Sequence, residues 1–302
     1  MRTFFSGHSS IGQLPIQRWG TNDQKLRYLR PSATGKKILA FALTEPEAGS
    51  NPLESKATYE KSQDGFTLNG SKYLISNAGI ADAIITFAYP KDGGKLSSFI
   101  IDSNVAGLSK EQLEAKLGLF TSDTAMFEMN NVNVPKENLL GNEGHGFQIA
   151  KYTLMGGRLS VAAGSVGVIV DCLNEAVRFS KERVQHGKVI GKHQLIQEHI
   201  AAIKVQLDTA RLITHEAARL KQLNEEEMDD PNLIGEADLM IAEAKFYASN
   251  AACDVADRAV QIFGGRGYSF LYRPGRHWQD IRVSRIYEGT DEIMKLKIGS
   301  AV

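Results

Sequence analysis

The sequence predicts an α+β fold in which a short helical segment is followed by a β-domain and then by a bundle of long helices. Two observations support this order. Between residues 36 and 134 the apolar residues form short runs, which Asn-Gly, Asp-Gly and Gly-Gly steps separate. After Gly146 the apolar residues recur with the period of helices. We therefore expect domain boundaries at 1–33, 34–140 and 141–302.

The composition is that of an ordinary globular protein, because 42% of the 302 residues are hydrophobic and 23% are charged. The 35 basic residues balance the 35 acidic ones, which argues against nucleic acid or an anionic membrane as a partner. Cys172 and Cys253 lie in helical stretches and predict no disulfide framework, so we expect a cytoplasmic protein. No uninterrupted apolar run approaches the length that a membrane span needs.

The N-terminal segment has two interpretations. Residues 1–22 contain arginines and serines but no acidic residue, as transit peptides do. Ile11, Leu14 and Trp19 nevertheless give an apolar helical face, and a second helix is predicted from Asp23. We therefore prefer a folded helical segment.

The β-domain is predicted from a series of short runs. The first is Ile38–Leu43, an apolar run of strand length. The others are 65–70 and 72–76 around a turn, 83–88, 98–101 and 126–129. No helix-sized segment separates most of them, which favours an antiparallel sheet or barrel over a parallel, nucleotide-binding sheet.

Long helices are predicted over 147–184, 193–223 and 234–263, with a shorter one after Thr290. The acidic run 225–231 reads as a solvated loop between two of them. Long amphipathic helices joined by short loops are typical of an antiparallel bundle.

The segment Phe41–Ser50 is the first candidate site. A predicted strand ends at Thr44, and Pro46 and Gly49 then force a loop. Such a loop can present backbone N–H groups and hydroxyls to a polar ligand or a phosphate. Taken alone, the segment is explained better as the exit from a strand.

Gly264 and Gly265 follow a predicted helix instead of a strand, which is the reverse of the dinucleotide-binding pattern. They are best explained as a helix stop, although glycine also permits close approach of a ligand to the backbone. The seven histidines form no HExxH pattern and there is no CxxC pair, so we expect no metal site.

Glu288 lies in a predicted loop just before Thr290, a plausible N-cap of the last helix. Apolar residues precede it in the sequence. A carboxylate at this position can be a catalytic base or simply a surface residue, and its immediate neighbours do not decide between the two.

The motifs are individually weak, but their order and spacing are specific. They are Thr44-Glu45-Pro46 with Gly49-Ser50, Asn69-Gly70-Ser71-Lys72 with Asn77-Ala78-Gly79, Gly141-Asn142-Glu143-Gly144, Glu182-Arg183, Gln261-Ile262-Phe263-Gly264-Gly265 and Tyr287-Glu288-Gly289-Thr290. From about Ile11 onward the chain resembles the acyl-CoA dehydrogenase family. This family has an N-terminal helical domain, a middle β-domain and a C-terminal four-helix bundle. Its members carry further helices before the segment matching Ile11, so the resemblance implies an N-terminal truncation.

The resemblance implies FAD as the cofactor. The residues expected to contact it in the β-domain are Phe41, Leu43, Thr44, Gly49, Ser50, Leu74, Ile75 and Ser76. Those expected in the helical domain, some of them reaching the FAD of a neighbouring subunit, are Arg183, His193, Gln194, Gln261, Gly264, Gly265, Thr290 and Glu292. Many relatives have an aromatic residue where this chain has Leu74. The residues expected to bind substrate are Ser50, Arg158, Tyr287 and Gly289.

Glu288 matches the usual catalytic base of the family. In a minority of members the base lies at the position of Gly157, which cannot act as one. The resemblance thus implies that Glu288 removes the α-proton of acyl-CoA while flavin N5 accepts the β-hydride, giving trans-2-enoyl-CoA. It also implies an electron-transfer flavoprotein as acceptor, a homodimer or homotetramer, and a role in fatty acid metabolism.

Three alternatives remain open. The segments Val184–Lys188 and Lys192–Gln197 resemble members that oxidise acyl groups bound to a carrier protein in polyketide or nonribosomal peptide pathways. An oxidase would instead pass the electrons to oxygen. The implied truncation also allows a flavin-binding subunit that does not turn over.

Overall fold

The computed structural model describes residues 2–226 and 231–301. The chain divides into two compact units, Met1–Gly157 and Arg158–Val302. The predicted helical segment and the predicted β-domain both fall in the first unit, and most of the helical domain forms the second. The acidic run at 225–231 lies partly outside the described residues, at 227–230.

The N-terminal segment is mostly helical, as predicted, with a break at Gly20 and Thr21. Its α-helices are α1 (Arg2–Phe5), α2 (Leu14–Trp19), α3 (Asn22–Gln24) and α4 (Arg30–Ala33), with π-helical turns at Ser6–Gln13 and Lys25–Leu29. Ile16 and Tyr28 are buried against Leu39 and Phe87 of the sheet. This burial explains why the segment is folded and confirms the prediction.

The sheet of the first unit has eight strands. They are β1 (Leu39–Ala42), β2 (Thr58–Lys61), β3 (Gly65–Ser76), β4 (Ala83–Pro90), β5 (Ser97–Asp102), β6 (Leu108–Gln112), β7 (Thr124–Pro135) and β8 (Leu139–Leu140). The order is β6-β7-β3-β2-β4-β5-β8, and β1 pairs with β4. Most pairs are antiparallel, as predicted, but β4 is parallel to both β1 and β2.

The predicted turn between 65–70 and 72–76 is wrong, because β3 is one continuous strand. Its pairing with β7 shifts register between Leu68 and Gly70 and again between Lys72 and Ile75. Gly70 has a φ of +132°, and a Cβ there would lie 2.7 Å from the Ala57 Cα. The Asn-Gly step therefore produces a bulge in the strand instead of a hairpin turn.

The three long predicted helices are present as α5 (Gly146–Glu182), α6 (Gln194–Glu226) and α7 (Pro231–Phe263). Helix α9 (Asp291–Gly299) follows Thr290, as predicted. Helix α8 (Arg273–Ile281) was not predicted, because a proline and a glycine interrupt its polar sequence. A small hairpin, β9 (Val184–Gln185) and β10 (Lys188–Val189), joins α5 to the turn before α6.

Two properties of the helices bear on the environment of the protein. Cys172 and Cys253 are both free thiols. By length and composition, α5 is apolar enough to cross a membrane, a criterion that the core helices of soluble proteins also meet.

Candidate active site

The backbone at Glu288 has an unusual conformation. The residue follows a 3-10 turn at Arg282–Arg285 and has a φ of +57°, in the left-handed region that non-glycine residues seldom occupy. Gly289 continues the bend with a φ of +102°. Thr290 then caps α9, because its hydroxyl accepts a hydrogen bond of 3.3 Å from the Ile293 N–H. The predicted loop and N-cap are thus confirmed.

Two cationic side chains hold successive carbonyl groups of this bend. Arg158 Nε donates to the Glu288 carbonyl oxygen at 2.9 Å. Lys245 Nζ donates to the Gly289 carbonyl oxygen at 2.6 Å. Lys245 is fully buried in α7, and the Arg158 side chain is only 11% exposed. The bend is therefore fixed by two nearly dry, charge-assisted hydrogen bonds.

The charges around the bend are closely coupled. Burial lowers the pKa of Lys245 to about 8, while the carboxylates of Asp291 and Glu288 oppose that decrease. The carboxylate of Asp291 accepts hydrogen bonds from Arg285 at 2.7 Å and from Asn250 at 3.1 Å. Glu288 is partly buried, and its carboxylate interacts with the charge of Lys245.

The predicted substrate residues fall into both units. Gly289 adjoins Glu288 in the bend, and Arg158 binds the Glu288 carbonyl. Tyr287, also in the bend, is partly buried. Ser50 is exposed in the first unit, on the loop after β1.

The candidate cofactor loop of the first unit is held by a buried ion pair that sequence reasoning missed. The Glu45 carboxylate accepts hydrogen bonds from Lys72 Nζ at 2.7 Å and from the backbone N–H of Lys56 at 2.5 Å. Lys72 is 0% exposed and Glu45 is 4% exposed. The signal that could have found the pair is a lysine at an inward-facing position of a strand.

The same loop is joined to β3 through the backbone. The Tyr73 N–H donates to the Thr44 carbonyl oxygen at 3.0 Å, which brings Thr44 beside the bulge at Leu74. Two reciprocal backbone bonds, of 3.1 and 3.2 Å, close the short turn between Glu45 and Ala48. The predicted residues on either side of this link therefore lie together in the first unit.

The accessible groups differ among these predicted cofactor residues. The side chains of Phe41, Leu43 and Ile75 are buried in the cores of the unit. Gly49 is exposed and Leu74 is 50% exposed, whereas Thr44 and Ser76 are partly buried. A ligand at this surface would contact backbone groups, hydroxyl groups and the Leu74 side chain. The three core residues lie beneath that surface and would determine its shape.

The remaining predicted cofactor residues lie at helix ends in the second unit. Arg183 follows α5. His193 directly precedes α6, which begins at Gln194. Gln261 lies in the last turn of α7, and Gly264 and Gly265 follow that helix. Stacked rings of Phe179 and Phe263, with centroids 4.1 Å apart, bring the ends of α5 and α7 together. Glu292 is exposed in the first turn of α9. Gly264 has a φ of +59° and ends α7, which confirms the predicted helix stop.

Comparison with known proteins identifies the family. The acyl-CoA dehydrogenase middle domain matches residues 40–132, and the acyl-CoA dehydrogenase C-terminal domain matches residues 144–302. The chain belongs to the acyl-CoA dehydrogenase family. The fold and the family predicted from the motifs are therefore confirmed.

Individual acyl-CoA dehydrogenases agree with this assignment. The chain is 41% identical, over 95% of its length and 74% of the relative, to a short-chain specific acyl-CoA dehydrogenase of Megasphaera elsdenii. It is 40% identical, over 98% of its length and 76% of the relative, to a subunit of the caffeyl-CoA reductase–Etf complex of Acetobacterium woodii. The structure of butyryl-CoA dehydrogenase from Megasphaera elsdenii matches with a TM-score of 0.91 and 39% identity, covering 99% of this chain and 76% of the other.

Proposed function

We propose that Glu288 is the base in an FAD-dependent α,β-dehydrogenation of acyl-CoA, which yields trans-2-enoyl-CoA. The reaction class and the cofactor follow from membership of the acyl-CoA dehydrogenase family. One observation carries the assignment of the base. Glu288 lies in a left-handed bend whose carbonyl groups are held by Arg158 and Lys245, so its position is fixed before substrate binds.

The chemistry requires a positioned base because the α-hydrogen of a thioester is only weakly acidic. When bound, FAD supplies the acceptor for the β-hydride. The Glu288 carboxylate removes the α-proton, and its backbone N–H donates to the thioester carbonyl, where negative charge develops. A donor of this kind contributes about 3–4 kcal/mol of transition-state stabilisation in other enzymes. Arg158 supports that donor by fixing the adjoining peptide group.

The residues proposed to bind FAD form two groups. In the first unit, the loop from Phe41 to Ser50 and the bulge Leu74–Ser76 offer backbone and hydroxyl groups to the flavin, with Thr44 and Ser76 at its polar edge. In the second unit, Arg183 is assigned to the FAD of a neighbouring copy. The start of α6 and the end of α7 are assigned to further FAD contacts, some of them with a neighbouring copy, and Thr290 and Glu292 to the adenosine or pyrophosphate of the cofactor. Cofactor sites shared in this way require a homodimer or homotetramer.

The substrate side is assigned to Ser50, Arg158, Tyr287 and Gly289. We favour coenzyme A over a carrier protein as the thioester carrier. The names of the short-chain relative and of butyryl-CoA dehydrogenase both refer to CoA thioesters. The relative from Acetobacterium woodii belongs to a complex with Etf, which supports an electron-transfer flavoprotein as the electron acceptor. Two free cysteines are consistent with a cytoplasmic location.

The test is anaerobic reduction of the bound flavin. Butyryl-CoA is expected to bleach the flavin absorbance of the FAD-loaded protein, and Glu288→Gln to slow the bleaching by about 10²–10⁴-fold. Glu236→Gln removes an exposed carboxylate of α7 and serves as the matched control, with an unchanged rate.

Longer acyl-CoA, acyl-pantetheine and acyl-carrier-protein thioesters in the same assay identify the carrier. A flavin that no thioester bleaches would contradict the dehydrogenation and support a subunit that does not turn over. Peroxide formation during turnover in air would indicate an oxidase. Full activity of Glu288→Gln would place the base elsewhere.

A further inference from the structure

We infer that Lys245 is a positioning residue for Glu288: its ammonium group holds the Gly289 carbonyl and stabilises the catalytic carboxylate from within the helical unit. The inference rests on the proposed role of Glu288. The hydrogen bond from Lys245 goes to a backbone carbonyl of the bend. Lys245 therefore acts on the reaction through Glu288 and does not need to touch the substrate.

The geometry gives Lys245 control over the conformation of the bend. Arg158 holds the carbonyl before Gly289 and Lys245 holds the carbonyl of Gly289 itself, so both peptide groups that flank this glycine are fixed. Glycine at a positive φ is otherwise free to move between several backbone conformations. The left-handed φ of Glu288 is unfavourable on its own and persists only where surrounding contacts hold it.

A requirement for a hydrogen-bond donor alone does not explain a lysine at this position. A neutral side chain can satisfy a carbonyl, whereas a buried ammonium group carries a large desolvation cost. Lys245 is also not needed to pair Asp291, since Arg285 and Asn250 already donate to that carboxylate. The charge of Lys245 interacts most with Asp291 and next with Glu288; because Arg285 and Asn250 already donate to Asp291, its use for the reaction lies in its interaction with Glu288.

The charged groups around Lys245 come from several elements. They are Arg158 of α5, Arg285 of the 3-10 turn, Glu288 of the bend and Asp291 of α9. Asp238, on α7 itself, pairs with Arg158 at 3.5 Å and with Lys297. Loss of the Lys245 charge leaves Glu288 with less opposite charge nearby, so the carboxylate binds a proton more readily.

The experiment compares three variants of the FAD-loaded protein. Lys245→Met removes both the donor and the charge, Lys245→Gln removes the charge and keeps an N–H donor on a side chain one bond shorter, and Lys245→Arg keeps both. Lys204→Met, at an exposed position of α6, is the control. The two readouts are the pH profile of flavin reduction by butyryl-CoA and hydrogen–deuterium exchange of residues 286–291.

With Lys245→Met, reduction is expected to slow roughly 10- to 100-fold, because a small misplacement of a catalytic group has that effect. The acidic limb of the profile should move up by about one pH unit, and exchange at 286–291 should quicken. Lys245→Gln is expected to move the acidic limb with near-normal exchange. Lys245→Arg should stay close to the wild type in both readouts.

An acidic limb that stays in place in both Lys245→Met and Lys245→Gln would overturn the electrostatic role. Unchanged exchange at 286–291 in Lys245→Met would overturn the positioning role. If Lys245→Met does not fold, the Gln and Arg variants still separate charge from packing. Should no thioester reduce the wild-type flavin, the proposed function fails, while hydrogen exchange still tests the hold of Lys245 on the bend.

Discussion

Among the residues that the structure describes, each unit buries one lysine completely, and the two lysines have different partners. Lys72 in the first unit contacts the Glu45 carboxylate at 2.7 Å, so its charge is neutralised on contact. Lys245 in the second unit contacts a backbone carbonyl, and its charge acts on the carboxylates nearby. Burial lowers the pKa of both. The comparison shows that the buried lysine of the first unit neutralises a carboxylate on contact, whereas that of the second unit holds a backbone carbonyl next to Glu288, the proposed base.

The largest effect on stability is expected from breaking the buried ion pair between Lys72 and Glu45. Lys72→Met leaves the Glu45 carboxylate buried without its cation, which should lower the free energy of unfolding by about 3–5 kcal/mol. Urea denaturation measures this change. Lys91→Met is the matched control, because Lys91 forms an exposed pair with Glu60 that water and salt screen, so its loss should change stability little.

Adding Glu45→Gln to Lys72→Met should restore part of the lost stability, since the uncompensated charge is then removed. If Lys72→Met and Lys91→Met lowered the free energy of unfolding equally, Lys72 would not stabilise the contact between the loop and the strand.

The second prediction concerns the pH dependence of stability that arises from Lys245, whose hydrogen bond goes to a backbone carbonyl and not to a carboxylate. Burial lowers the pKa of Lys245 to about 8 in the folded protein, against about 10.5 in the unfolded chain. Between these values the unfolded state binds more protons, so the stability of the wild type should rise with pH, by up to about 3 kcal/mol from this group. Lys72 contributes a change of the same sign, which cancels in a comparison with Lys245→Met.

Urea denaturation of both proteins at pH 8 and pH 10.5 provides the measurement. The free energy of unfolding of the wild type relative to Lys245→Met should increase over this interval. A constant difference would mean that Lys245 titrates as it does in the unfolded chain. Lys245→Arg, which stays charged, should show no such increase.

The smallest predicted effect on stability comes from removing one helix cap in each unit. Thr21 caps α3 in the first unit and Thr290 caps α9 beside Glu288 in the second. Either Thr→Ala change should cost about 1 kcal/mol in thermal or urea unfolding. Only Thr290→Ala should also slow flavin reduction, because its helix begins next to the bend. Thr→Ser keeps the hydroxyl and should retain most of the stability, and a rate loss in Thr21→Ala would contradict this division.

The sequence predicted well those features that depend on neighbouring residues. The three long helices, the cap at Thr290 and the helix stop at Gly264 follow from local periodicity and from single residues. The bulge in β3 was missed because an Asn-Gly step is also a turn signal, and only pairing with β7 decides between the two. Helix α8 was missed because a proline and a glycine interrupt its short, polar sequence.

The supports of the candidate site were harder to predict, because they join residues distant in the chain. Lys245 and Gly289 are 44 positions apart, and Lys72 and Glu45 are 27 apart. A weak signal for Lys245 exists, since it shares a helix face with Ile241 and Ala248, both buried. The position of Glu288 before the N-cap was predictable, but its role came from the resemblance of the whole motif set.

The turn between Glu45 and Ala48 has a kinetic consequence. Because two backbone bonds close it, and the Glu45 side chain is anchored to Lys72, the turn is held in one backbone shape. A ligand that binds at Gly49 and Ser50 then does not have to wait for this turn to become ordered. Its association rate is therefore set by diffusional encounter and by orientation. The rate of uptake at this loop should accordingly depend on solvent viscosity more than on the flexibility of the protein.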